Sequence, residues 1–256
     1  MAYAMRRKRI VELVARGGFV SLGELTAELG ASESTIRRDL EALEQAEAIR
    51  RTHGGAVPAG DAPSIPAFED RGRVSASEKR IIGAAAARLI GDGETVLLDG
   101  GTTTFDVARH LMGHALQVVT NSLPIAYLLA GDQRIDLTLI GGSVHPRTGV
   151  AVGRMAAQSL ESVHARRLIM SVAGITERGF FNSNTLIVET ELQMMRVVDE
   201  VVVVADHTKF GQQSLSFLCE LGRVQRIVSD AALSDKHRRM IEEAGLQLIV
   251  ASEDQN

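Results

Sequence analysis

Leu25-Thr26-Ala27-Glu28-Leu29-Gly30-Ala31-Ser32-Glu33-Ser34-Thr35-Ile36-Arg37-Arg38-Asp39-Leu40 reads as a short helix, a turn at Gly30 and a second helix. Ser21 is placed to cap the first helix, and Glu24, three residues on, completes a capping box. Gly30 stands where the chain must leave that helix, and Ser32 is placed to cap the next one. In the second helix Ile36, Leu40 and Leu43 recur at helical spacing and form one apolar stripe. The opposite face carries Ser34, Arg38, Glu41 and Gln45, flanked by Thr35 and Arg37. Short hydroxyls and arginines near the start of such a helix suit the base edges and phosphates of duplex DNA. Amphipathic helices with surface arginines are common, so this pattern alone favours DNA binding only modestly.

The flanks strengthen it. Upstream, Ile10, Leu13 and Val14 mark a helix led by the basic run Arg6-Arg7-Lys8-Arg9. Downstream, Ala48 to Val57 reads as a strand with a Gly54-Gly55 turn. Three helices followed by a basic hairpin make a winged helix-turn-helix. Arg50 and Arg51 on the wing suit phosphate contacts. His53 is open to two readings, a phosphate contact or a turn-stabilising hydrogen bond.

At 256 residues the chain has room for a small domain and a larger one with its own core. The expected division is 1–57 for the winged domain, 58–77 for a linker and 78–256 for an α/β effector-binding and oligomerisation domain. The net charge of −4 is unlike that of a DNA binder. Residues 1–57 are nearly balanced, however, so the acidic excess belongs to the rest of the chain. A weakly basic domain must rely on a few well-placed arginines and on dimerisation. The single Cys219 excludes an intrachain disulfide framework, reads as a packing residue and suits a reducing cytoplasm. No apolar run approaches the roughly 20 residues of a membrane span, and the basic start lacks the apolar segment of a signal peptide. A cytoplasmic protein without membrane association is expected. The seven His are scattered, so neither a metal site nor a cofactor is expected. With no Trp and two Tyr, little is available for stacking on single strands.

Pro58 to Pro66 has linker composition, and Glu78 onward, with Ile81, Ile82, Ala85 and Leu89, reads as a helix. Strand candidates then alternate with helices. Strands are read at 95–99, 117–120, 137–140, 168–173, 200–205, 227–229 and 247–250. The run Val201-Val202-Val203-Val204 is β-branched throughout, as a strand buried on both faces requires. The second domain is therefore α/β, a mainly parallel sheet with helices on both sides, and its function belongs to loops at the carboxyl ends of strands. Asp99-Gly100-Gly101-Thr102-Thr103-Thr104 runs from a strand through two glycines into a helix start. Backbone N–H groups and the helix dipole there suit a phosphate monoester, with Asp99 suited to a sugar hydroxyl. A capped turn with no ligand fits this loop equally well. Asn121 ends another strand, where a helix cap is the plain alternative. Gly141 and Gly142 end a third, and Lys209 offers a point charge to a phosphate.

These features together resemble the DeoR family of bacterial transcriptional regulators. The resemblance rests on the arginine-led first helix, Glu24-Leu25, Ser34-Thr35-Ile36-Arg37-Arg38-Asp39-Leu40 and Arg51-Thr52-His53-Gly54-Gly55-Ala56. It continues through Asp99-Gly100-Gly101-Thr102-Thr103-Thr104, Val119 to Ala126, Gly141-Gly142, Ala205-Asp206 and Lys209-Phe210-Gly211. The resemblance implies operator binding by the second helix and an effector domain similar in fold to ribose-5-phosphate isomerase. It also implies that a phosphorylated sugar or related metabolite at these loops alters operator affinity. Two departures stand near the expected pocket. Thr176 replaces the family's usual Asp after Ala173-Gly174-Ile175, and Phe180-Phe181, followed by Asn182-Ser183-Asn184, replaces Leu-Thr. They point to a ligand outside the commonest type.

Two functional classes compete: a metabolite-responsive repressor of a carbohydrate operon, acting as a homodimer or homotetramer, and a sugar-phosphate isomerase or deaminase. Isomerisation needs a carboxylate base beside a polarised carbonyl. Asp99, Asp206 and Glu189 are the available bases, but no paired constellation stands out. The regulator is the expected class, with no catalytic residues.

Overall fold

The computed structural model describes residues 3–17, 20–46, 48–52, 55–58 and 67–252. The chain divides into two compact units, Met1–Ile65 and Pro66–Asn256.

Unit 1 contains α1 (Tyr3–Gly17), β1 (Val20–Ser21), α2 (Leu22–Leu29), α3 (Glu33–Gln45), β2 (Ile49–Thr52) and β3 (Gly55–Pro58). Ile10 and Val14 of α1, Leu25 and Leu29 of α2, and the Ile36-Leu40-Leu43 stripe of α3 close one core. The helix ends follow local chemistry. Ser21 accepts from the Glu24 N–H, and the Glu24 carboxylate accepts from the Ser21 N–H at 2.8 Å. Gly30 leaves α2 at φ 58°, a left-handed conformation that a Cβ disfavours. Ser32 then caps α3 through the Thr35 N–H. The three strands form an antiparallel sheet in the order β1-β3-β2. Strand β1 is too short to show a sequence period. Its pairing depends on Gly55, where a Cβ would lie 2.1 Å from the Val20 carbonyl oxygen.

Unit 2 opens with α4 (Phe68–Arg73), a short helix inside the span 58–77 whose composition reads as linker. Its charges hid an anchor: the Phe68 ring meets Phe105 edge-on, with centroids 5.5 Å apart. Glu69 and Asp70 at the start of α4, and Arg71 and Arg73 at its end, match the helix dipole. Ser75, at φ 50°, then turns the chain into α5 (Ala76–Ala87); no other described non-glycine residue has a positive φ. Such a conformation costs on the order of 1 kcal/mol.

The central sheet has seven parallel strands: β4 (Thr95–Leu98), β5 (Leu116–Thr120), β6 (Ile135–Leu139), β9 (Ala165–Met170), β12 (Val198–Val204), β14 (Arg226–Asp230) and β15 (Gln247–Ala251). All seven expected strands are in it. Between them lie α6 (Thr102–Leu111), α7 (Leu123–Leu129), α8 (Arg154–Leu160), α9 (Thr185–Arg196) and α10 (Asp235–Glu243). Val201 and Val203 face one hydrophobic core, Val202 and Val204 the other, so the valine run serves both sides of the sheet. Two small antiparallel elements escaped the sequence pattern. One is a hairpin of β7 (Ser143–His145) and β8 (Val150–Val152), and the other a sheet of β10 (Gly174–Thr176), β11 (Gly179–Asn182) and β13 (Ser216–Cys219). Strands of three or four residues carry too little alternation to be read.

The strand order is β15-β14-β12-β9-β4-β5-β6. From β4 the chain winds outward through β5 and β6, then returns to β9 and winds the other way. The switch point therefore lies between β4 and β9, the place where open sheets of this kind as a rule bind ligands.

Candidate functional site

Unit 1 exposes one face of α3. Ser34, Arg37, Arg38 and Gln45 are exposed and Thr35 is half-buried, opposite the stripe that enters the core. The hydroxyls of Ser34 and Thr35 lie 3.0 and 2.8 Å from Ser32 Oγ, so the start of the helix is a small hydroxyl cluster. Arg37 pairs with Glu33 one turn back at 3.2 Å, while Arg38 has no ion pair among the described residues. Asp39 turns the other way. It is 1% exposed and accepts from Arg6 Nε at 2.6 Å and Arg7 Nε at 3.0 Å, which tie α1 to α3. The run Arg37-Arg38-Asp39 is thus divided between the outer face and the interior.

Arg51 holds the wing to this helix. Its backbone N–H and Nε both donate to Glu44, at 2.9 and 2.8 Å, and Nη1 donates to Glu41 at 2.9 Å. The two side-chain bonds, that to Glu44 first, raise the guanidinium above its ordinary range. The side chain of Arg50, and His53 entirely, lie outside the described residues.

In unit 2 the switch point gathers polar groups. Gly101 lies against Ser171, the residue that follows β9: a Cβ on it would fall 1.9 Å from Ser171 Oγ. Gly100 likewise leaves no room beside Val150 of β8. Thr102, Thr103 and Thr104 are buried at the start of α6, and Thr104 Oγ1 has no hydrogen-bond partner. Asn121 does not cap a helix; Ser122 caps α7 instead. Asn121 donates through Nδ2 to the Ala151 carbonyl at 3.0 Å and leaves Oδ1 unpartnered. Gly141 and Gly142 are two strands away from β4, roughly 10 Å at ordinary strand spacing. Gly142 lies against the open end of the β7–β8 hairpin, where a Cβ would meet the Val152 carbonyl oxygen at 2.9 Å.

Asp99 stands at the centre, 2% exposed. Burial pushes its acid up to about 6, against the pull of the Gly100 and Ser171 N–H groups and of the Arg71 guanidinium. Folding thus favours the protonated form, a contribution complete below the ordinary value and lost as pH rises through about 6. Thermal unfolding from pH 4 to 7 is expected to move in favour of Asp99→Asn over wild type as pH rises. A constant difference would count against a buried, strained carboxylate.

Three participants were not read from the sequence. Arg71, on α4, lies within electrostatic reach of Asp99; burial lowers its basicity, and Nε and Nη2 have no hydrogen-bond partner. Lys79, on α5, is 3% exposed, donates to the Val74 carbonyl and lies 3.7 Å from Asp206. The helical period carried this signal, since Lys79 falls one turn before Ile82 on the buried face of α5. Glu191, on α9, is 1% exposed and carries an unpartnered Oε2. Asp206 also caps the turn His207–Lys209, which sets Lys209 half-buried within electrostatic reach of Lys79. Phe180 and Phe181 are buried in the core, and the Asn182 that follows them donates to Glu191. Glu189 is exposed, His207 bonds Asp230 at 2.9 Å, and Cys219 is buried with its thiol pushed up to about 12 by burial.

The model for the DeoR-like helix-turn-helix domain matches residues 6–59, and that for the DeoR C terminal sensor domain matches residues 74–231. The putative aga operon transcriptional repressor of Escherichia coli O157:H7 is 31% identical, covering 97% of this chain and 94% of that protein. The HTH-type transcriptional repressor GlcR of Bacillus subtilis (strain 168) is 29% identical, covering 96% and 95%. The glycerol-3-phosphate regulon repressor of Haemophilus influenzae is 34% identical, covering 88% of each chain. Among solved structures, ribose 5-phosphate isomerase A from Neisseria gonorrhoeae aligns with 52% of each chain at 17% identity and a TM-score of 0.37; no activity is carried over from it.

Proposed function

Because this chain belongs to the DeoR family of transcriptional regulators, we propose that it represses a carbohydrate-related operon, with operator affinity set by a phosphorylated sugar or related metabolite bound in unit 2. Helix α3 is the DNA-reading element. The observation that carries this reading is its division: an apolar stripe fully engaged in the core, and an outer face of Ser34, Thr35, Arg37, Arg38 and Gln45. Short hydroxyls and arginines position on phosphates and read base edges. The β2–β3 wing, with Arg50 and His53, adds phosphate contacts, and Arg51 fixes its register on α3. A homodimer or homotetramer presents two such helices to half-sites about one helical turn apart.

The effector occupies the crevice between β4 and β9. Loop 99–101 and the start of α6 receive its phosphate through N–H groups, Thr102, Thr103 and Thr104, with the Arg71 donors and Lys209 nearby. Asn121 and Asp99 meet its hydroxyls. Gly141 and Gly142 shape the hairpin at the rim. Coupling between effector and operator of about 1–3 kcal/mol is the usual scale.

No turnover is proposed, although Asp99 and Glu191 have the raised acidity constants that a general acid or base would need. The test is a mobility-shift titration of the protein's own upstream DNA, with and without a panel of sugar phosphates, alongside an assay for conversion of each compound. A shift relieved by one compound is expected, and turnover of any of them would overturn the regulator reading. Arg38→Ala is expected to weaken operator binding by about 1–3 kcal/mol and to relax specificity at one base position. Unchanged affinity in the same titration would remove α3 from the groove.

A further inference from the structure

Glu191 Oε1 accepts from Asn182 Nδ2 at 2.5 Å, whereas Oε2 has no hydrogen-bond partner. Fully buried carboxyl oxygens rarely lack a partner, so this one calls for an account. Asn182 ends β11, and its neighbour Phe181 accepts at its carbonyl from the Ala173 N–H at 3.0 Å. The same 171–173 segment donates its Ser171 N–H to the Asp99 carboxyl and lies directly against Gly101. One stretch of backbone therefore joins loop 99–101 to the Glu191–Asn182 pair. Asp99 lies within electrostatic reach of both Arg71 and Glu191.

We propose that Glu191 and Asn182 form the second half of the effector site, gripping the uncharged, hydroxyl- or carbonyl-bearing end of a ligand whose single anionic group sits at Arg71 and loop 99–101. The inference rests on the effector reading above and narrows it to monophosphate esters of sugars or polyols. Burial, reinforced by the nearby Asp99 carboxyl, holds the Glu191 acid well above the usual carboxylate range. In its neutral form it donates from Oε2 to a ligand oxygen while accepting from Asn182 at Oε1. A second phosphate, or the carboxylate of a phosphorylated sugar acid, would meet two buried acids and is excluded by like charge and desolvation.

The experiment is calorimetric titration of full-length wild type, Glu191→Gln and Glu191→Leu, with operator binding as the check on folding. The probes are inorganic phosphate, a panel of triose, pentose and hexose monophosphates, a phosphorylated sugar acid and a hexose bisphosphate. Inorganic phosphate is expected to bind all three proteins alike. At least one monophosphate should bind wild type more tightly than phosphate does. Its affinity should be kept by Glu191→Gln, which preserves the donor and acceptor, and fall about tenfold or more in Glu191→Leu. Equal monophosphate affinity in wild type and Glu191→Leu, or tightest binding of the bisphosphate or sugar acid, overturns the inference and leaves the effector reading standing. Failure of every phosphate compound to bind wild type overturns both. Should Glu191→Leu not fold, Asn182→Ser carries the same comparison with the same opposed outcomes.

Discussion

Asp39→Ala is expected to cost unit 1 about 3 kcal/mol and to abolish operator binding. Breaking a buried ion pair from one side costs about 3–5 kcal/mol, and the lower end applies because Arg6 and Arg7 keep 15% and 21% of their side-chain surface in water. A unit of this size draws no more than about 3–5 kcal/mol from its core, so the loss is comparable with its whole stability. The defect should be confined. Hydrogen exchange on the full chain would lose protection in α1 and α3, while the strands of the seven-stranded sheet keep theirs. Asp39→Asn, which retains one acceptor, should fall between. Wild-type protection of α3 in Asp39→Ala would mean that the two arginines find other acceptors.

Arg71→Leu is expected to leave operator binding unchanged and to weaken the effector roughly tenfold to a hundredfold, the value of a charge-assisted pair of hydrogen bonds. The substitution removes two unpartnered buried donors, so the melting temperature should hold or rise slightly. Arg71→Lys should recover only part of the affinity, because an ammonium supplies charge without the planar fork. Titrating the phosphorylated compound that relieves wild-type repression distinguishes the outcomes. Normal affinity in Arg71→Leu would place the phosphate elsewhere along the strand ends.

What could be read in advance, and what could not, follows from the range of each signal. The caps at Ser21 and Ser32, the Gly30 exit, the stripe of α3 and the seven sheet strands are set by residues a few positions apart. They stood out as period or as turn chemistry. Asp39 is different: its partners lie 33 and 32 residues away, so nothing local separates it from a solvent-facing acid. Glu191 falls in one of the helices that alternate with the strands, and nothing local marks it: its hydrogen-bond partner Asn182 belongs to β11. Arg71 was lost to composition, because a six-residue helix full of charge reads as linker unless Phe105 is known to receive Phe68. The glycine loop at 99–101 was found, but whether it cradles a ligand or merely turns depended on the neighbouring groups that the fold brings to it.

Helix α4 spans six residues, buries no side chain completely and is followed by the strained Ser75. A helix that short cannot sustain itself in water, so its hold on the rest of unit 2 comes from packing, with Phe68 edge-on to Phe105 of α6. On the proposed reading, a metabolite seizing Arg71 adds about 1–3 kcal/mol to that hold, enough to change its docked-to-loose ratio some 5- to 150-fold. Within unit 2 its first helix then behaves as a latch, and the abundance of a small molecule decides how often it is fastened.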